Sequence, residues 1–238
     1  MQYKFLTPLD SAGRSAPEVI FGRLSEAIAT GELQPGDRLP SEADLANAFG
    51  VAVMTLRRAL ETLREVGLIE TKRGRFGGNF VSLNAAENFS HLSKTMSYSR
   101  KEVRELADWR RAVSGEACYL AAERGEQADF DAIREASLEF DRSISKHDAM
   151  RLADAKLHLL ISSAARSGRL HREESSIQAE LSRLLSSNPY SDPWRLNLEG
   201  LHSGLIVAIA ERQSDLARRE LIAHVESTFN WMVALLPE

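Results

Sequence analysis

Apolar residues recur at steps of three and four along most of this chain. Between Ala16 and Thr30 the apolar positions are Val19, Ile20, Leu24, Ala27 and Ile28, a spacing that predicts a helix. Gly31 ends it, and Gln34-Pro35-Gly36-Asp37 reads as a turn. Ser41 is a natural N-cap, with Asp44 standing where a capping box places its acid. The second helix so started runs to about Phe49 and stops at Gly50. A third begins near Ala52, with Leu56, Leu60 and Leu63 as its inner stripe. Met54, Arg57, Arg58 and Glu61 then face outward. Two short helices about a glycine turn, the second presenting arginines, form a helix-turn-helix pattern.

The period changes after Gly67. Leu68 to Lys72 reads as a strand, Arg73 to Gly78 as a turn, and Asn79 to Ser82 as a return strand. This hairpin is a wing with basic residues at its tip. Residues 84–99 are polar and read as a linker, with a short helix around Ala86–Met96. From Lys101 onward only helical patterns occur, over 101–124, 127–144, 147–166, 169–187, 194–212 and 214–235, with Pro189 and Pro193 between the fourth and fifth. The expected fold is mainly α. A winged helix-turn-helix with a small β wing occupies 1–83, and an all-α helical bundle occupies 100–238.

Composition narrows the class. A chain of 238 residues is long enough for two cores, and 43% hydrophobic with 27% charged residues reads as soluble and globular. No apolar run nears the ~20 residues that span a bilayer, and Met1 to Arg14 lacks the apolar stretch of a secretory signal. The expected location is cytoplasmic, with no membrane partner. Cys118 is the single cysteine, which excludes an internal disulfide and a CxxC metal knuckle. The net charge of −4 argues against nucleic acid until its distribution is considered. Arg57, Arg58, Arg64, Lys72, Arg73 and Arg75 crowd into one short stretch against Glu61, Glu65 and Glu70. A local basic patch on an acidic protein suits phosphate contact; a solvated helix face followed by a charged turn is the other reading.

The stretch Gly31-Glu32-Leu33-Gln34-Pro35-Gly36-Asp37-Arg38-Leu39-Pro40-Ser41-Glu42, with Leu56-Arg57-Arg58-Ala59-Leu60 and the Gly77-Gly78-Asn79-Phe80-Val81 wing, resembles the GntR family of bacterial regulators. The later half resembles the FCD-type effector domain of the FadR subfamily. That match rests on Arg110-Arg111-Ala112-Val113, Leu120-Ala121-Ala122, Asp154, His158, His202 and His224. The resemblance implies a ligand-responsive transcriptional regulator rather than an enzyme. It also implies that Arg73 and Gly74 at the wing tip enter the minor groove. Ala52-Val53 and Ala43 depart from it, standing where the family has base-reading residues, and so do Ser114 for Glu and Ser167 for Asn.

Residue chemistry gives the roles. Arginine is the commonest reader of guanine in the major groove, so Arg57 and then Arg58 are the candidate base contacts. Thr55 at the helix start would bond a phosphate, and Lys72, Arg73 and Arg75 would serve the wing. In the second domain Asp154 and His158 share a helix face, while His202 and His224 lie on the apolar stripes Leu198-His202-Leu205-Ile209 and Leu221-His224-Val225-Thr228. Buried polar groups need partners. One divalent transition metal, zinc first and nickel or manganese otherwise, would satisfy all four; a hydrogen-bonded core cluster is the alternative. Arg110 also falls on a core-facing stripe and keeps its charge. It calls for an anion, either a metabolite carboxylate or an internal acid. The expected protein is a homodimeric repressor, released from its double-stranded operator by a small organic acid. Its rivals are a metal-dependent hydrolase and an architectural DNA-binding protein with a structural metal.

Overall fold

The computed structural model describes residues 6, 8, 15–94, 98–187 and 198–235. The chain divides into two compact units, Met1–Thr95 and Met96–Glu238.

The first unit carries α1 (Ala16–Ala29), α2 (Glu42–Phe49), α3 (Val53–Glu65), β1 (Ile69–Lys72), β2 (Gly78–Val81) and α4 (Ala85–Lys94). Ser15 and Glu18 form a capping box that starts α1, and Ser41 Oγ accepts from the Asp44 amide at 3.1 Å to start α2. These bonds satisfy amides that a helix start leaves open. The core is a set of fully buried side chains, Ile20, Leu24, Leu45, Phe49, Leu56, Leu60, Leu63 and Leu68, supplied by α1, α2, α3 and the entry to the wing. The two strands pair antiparallel with Ile69 opposite Val81 and Lys72 opposite Gly78. The segment around Arg38 adds a bridge to Phe80 on the free edge of β2. The stretch read as a linker is largely helical: Ala85 and Phe89 of α4 are buried, the helix packs on α1, and Asn88 Nδ2 donates to the Gly67 carbonyl at 2.9 Å.

The second unit is all helical among the described residues: α5 (Arg100–Arg124), α6 (Gln127–Ser143), α7 (His147–Ala164), α8 (Gly168–Ser187), α9 (Ser203–Ala210) and α10 (Ser214–Leu235). The long α5 packs against α7, α8 and α10, while α6 covers α7 and α9. One expectation is corrected. The helix read over 194–212 is formed only as Ser203–Ala210; residues 194–197 lie outside the described residues, and 199–202 form a turn. Gly200 has φ +70°, a left-handed conformation that breaks an α-helix and that glycine adopts without strain. Its amide is held by Asp141 Oδ1 at 3.1 Å. His202 is therefore the N-cap of α9 rather than a residue within a helix. Leu198, His202, Leu205 and Ile209 are all buried nonetheless.

Candidate DNA interface and metal centre

In the first unit α3 turns its leucines inward, and Met54, Arg57, Arg58 and Glu61 are exposed. A groove between this helix and the hairpin is lined by Arg38, Met54, Arg57, Arg64, Thr71 and Asn79 among others. Thr55 lies in the first turn of α3 and is half-buried. Ala52, the N-cap of α3, offers no side-chain bond to the helix amides. Arg57 Nε donates to Glu42 Oε2 at 2.7 Å, with the two side chains 57% and 32% exposed. This pair ties α3 to the start of α2. An exposed pair of this kind contributes only about 0–1 kcal/mol, so it orients Arg57 without locking it away from a ligand.

At the wing, Lys72 Nζ lies 3.0 Å from Glu70 Oε1 and 4.8 Å from the centre of the Phe80 ring. Arg73, Gly74 and Arg75 are exposed at the tip, where Gly74 turns the chain at φ +108° with open space around it. Two neighbours escaped the sequence reading. Arg38 Nη2 donates to the Gly77 carbonyl at 2.7 Å and so braces the hairpin. Phe76 is 81% exposed under the Arg75 guanidinium, 5.7 Å from its ring centre.

In the second unit the four expected ligands come together. One donor atom from each of Asp154, His158, His202 and His224 lies within 4.8 Å of all the others. They come from α7, the turn before α9, and α10. His202 Nε2 stands 3.2 Å from Asp154 Oδ1, and His158 Nε2 stands 3.8 Å from the same oxygen. The Nδ1 atoms of His202 and His224 are buried without a hydrogen-bond partner. Native interiors avoid such orphaned atoms. Three imidazoles and one carboxylate are also the donor set of a first-row divalent ion. The residues fit a metal.

Arg110 completes the centre. Its Nη2 donates to His158 Nε2 at 2.9 Å and to His224 Nε2 at 3.2 Å, while its Nε is buried and unpartnered. With Asp154 and His224 it lines a cavity of about 30 Å³ whose other walls include Phe140, Met150 and Arg151. The electrostatics follow from burial and this cation. Burial, then the Arg110 charge, pushes His158 down to about 3 against the pull of Asp154. His224 is held well below its ordinary value by the same two causes. Burial would raise the Asp154 carboxyl, but contact with His202 and the charges of His158 and Arg110 outweigh it, and the group stays ionised far below the usual carboxylate range. Two of the imidazoles are thus neutral, and the carboxylate charged, at physiological pH, which are the forms that bind a metal.

Residues 17–77 match the family described as bacterial regulatory proteins, gntR family, and residues 105–227 match the FCD domain. The chain is 36% identical over 224 residues to a Mycobacterium gastri protein named as the HTH-type transcriptional regulator RmpR, covering 89% of this chain and 80% of that one. It is 30% identical over 220 residues to the Glc operon transcriptional activator of Escherichia coli, covering 88% and 86%. The chain belongs to the GntR family. Among solved structures, Escherichia coli McbR/YncC shares the fold with a TM-score of 0.56 at 16% identity, covering 92% of this chain and 98% of that one.

This GntR regulator carries one further buried acid that the sequence reading missed. Glu174 on α8 is 1% exposed. It accepts from Ser114 Oγ at 2.5 Å and from Gln178 Nε2 at 2.7 Å. Burial raises its carboxyl, opposed by those two bonds and by Arg110. The signal was present, because Glu174, Ile177, Gln178 and Leu181 recur at helical spacing on the inner face of α8. Ser114, one of the departures from the family pattern, is where this carboxyl docks.

Proposed function

We propose that the second unit senses a small organic acid through a divalent metal held by Asp154, His158, His202 and His224, with the acid's carboxylate taken by Arg110. The observation that carries this reading is the convergence of four donor atoms within 4.8 Å, beside a buried guanidinium on a cavity. A bound ion would supply a Lewis-acidic anchor for carboxylate oxygens. Arg110 would pair with the same anion through charge-assisted hydrogen bonds.

The first unit binds a double-stranded operator as one half of a homodimer. A two-fold protein on a palindrome doubles the contacts of a single recognition helix. Thr55, Arg57 and Arg58 on α3 meet the major groove, and Lys72, Arg73, Gly74 and Arg75 meet the adjacent backbone and minor groove. The protein works in the cytoplasm, where its operator is, and it represses until the acid binds. Relatives named as transcriptional regulators favour this reading over turnover at the metal.

The test uses the full chain, purified without a His-tag and reconstituted with zinc. Short carboxylic acids are screened by thermal shift, and each one that shifts is titrated against operator binding. An acid at about 100 times its Kd adds ~2.7 kcal/mol and should release the operator. Failure to take up metal, with no acid altering DNA affinity, would remove the sensor reading.

A further inference from the structure

The first turn of α3 is apolar on its solvent side. Val53 is 37% exposed and Met54 is 63% exposed, and Ala52 beside them is exposed too. The inner stripe, Leu56, Leu60 and Leu63, is fully buried, so the hydrophobic core of this unit makes no use of these two side chains. Helical spacing puts Val53 four residues before Arg57, and Met54 three before Arg57 and four before Arg58. Residues so spaced are surface neighbours. Met54 and Arg57 also line the same groove. The exposed apolar patch is therefore part of the face that carries the arginines.

That face has a stated partner chemistry. Arg57 and Arg58 on α3, with Lys72, Arg73 and Arg75 on the wing, complement a polyanion. A recognition helix meets base edges with its N-terminal residues, which here are Ala52, Val53 and Met54. None of the three side chains offers a strong hydrogen bond, so none can read a base by donors and acceptors. The floor of the major groove exposes one apolar group, the 5-methyl of thymine.

We propose that Val53 and Met54 read thymine methyl groups beside the base taken by Arg57, so that the operator half-site is specified in part by apolar contact. This rests on the reading of α3 as the helix that enters the major groove. The departures at Ala52 and Val53 then change the kind of readout, from hydrogen bonding to methyl recognition, and the half-site carries thymine where a polar reader would select another base.

The full chain is used to select an operator from random duplex DNA. Each thymine in the selected half-site is then replaced singly by deoxyuracil, which removes the methyl and keeps every hydrogen-bonding group. Binding by fluorescence anisotropy should weaken about fourfold, the worth of one buried methyl-sized group, at one or two positions and nowhere else. Met54→Ala or Val53→Ala should bind the parent operator weakly and treat thymine and uracil alike at its own position; Met54→Leu should keep the difference. An operator with no uracil-sensitive thymine overturns the proposal. So does a sensitivity that both alanine variants retain. Arg57→Ala separates the two readings. If it weakens binding while uracil is silent, only the methyl proposal fails; if Arg57→Ala and Met54→Ala both bind normally, α3 is not in the groove. A Met54→Ala chain that binds DNA normally but changes sedimentation would assign this face to a second copy and overturn the proposal.

Discussion

Arg110 Nη2 lies 2.9 Å from His158 Nε2, a permanent cation bonded to an imidazole that a metal would need. The contact keeps the imidazole neutral, because a protonated ring would face a like charge in a buried site. It also sets the cation in competition with any ion for the same lone pair. Arg110→Gln should therefore tighten metal binding by at least about tenfold, since a unit charge at this range is worth a few kcal/mol even with strong screening. The same variant should lose release by effector and keep operator binding. Competition with a chromophoric chelator measures the first effect, and an effector titration of operator complexes measures the second. Unchanged metal affinity would place the guanidinium clear of the ion.

Stability of the metal-free chain should fall with pH in a defined window. His158 and His224 have folded values below the ordinary ~6.5. Below that pH the unfolded chain binds protons that the folded chain does not. Their contribution is thus complete above about pH 6.5 and is lost as pH falls, by roughly 1 kcal/mol per pH unit for each histidine. His158 itself charges only near 3. Asp154 acts in a lower window: its stabilisation is intact above about pH 4 and is lost beneath it. Between pH 7 and pH 5 the Tm should drop, and His158→Gln should flatten the slope. An equal slope in both proteins would show that His158 titrates normally.

His202→Ala should lose most bound metal. Its Nδ1 is buried without a hydrogen-bond partner, and its Nε2 faces Asp154 Oδ1 at 3.2 Å, placed to share an ion with that carboxylate. The metal-loaded parent should melt higher than its chelated form, whereas the variant should melt alike in both, because binding energy to the folded state is stability. The first unit has its own core, so the variant should still bind operator. Elemental analysis and calorimetry together check this. A variant that retains a full equivalent of metal would leave His202 as a packing residue against Phe140, whose ring it meets edge-on at 4.7 Å.

Arg57→Ala should cost about 1–3 kcal/mol in operator affinity and relax one base position. Arg75→Ala should weaken all sequences alike and flatten the salt dependence by about one counterion. Glu42→Gln should change affinity little, since the exposed pair it breaks is worth under about 1 kcal/mol. Anisotropy across a salt series with operator and scrambled DNA separates these outcomes. A sequence-uniform loss in Arg57→Ala would make Arg57 a phosphate contact.

The helices, their caps and the wing were legible in the sequence because they follow from local rules. Apolar spacing fixed the face of α3, Ser41 marks a helix start, and the glycines between β1 and β2 mark the tip. The same spacing named Asp154 and His158 as neighbours on one helix. It could not decide which atoms meet, since that depends on how α5, α7, α9 and α10 pack. Packing brought four donors within 4.8 Å and set Arg110 against two of them. It placed His202 at a helix start after the left-handed turn at Gly200, where periodicity alone extended the helix. It gave the buried Glu174 a partner sixty residues away in Ser114, and it joined Arg57 to Glu42 on the neighbouring helix. Local order is a property of neighbouring residues, whereas charge partners in a helical bundle are set by contacts between distant segments, which no period in the sequence records.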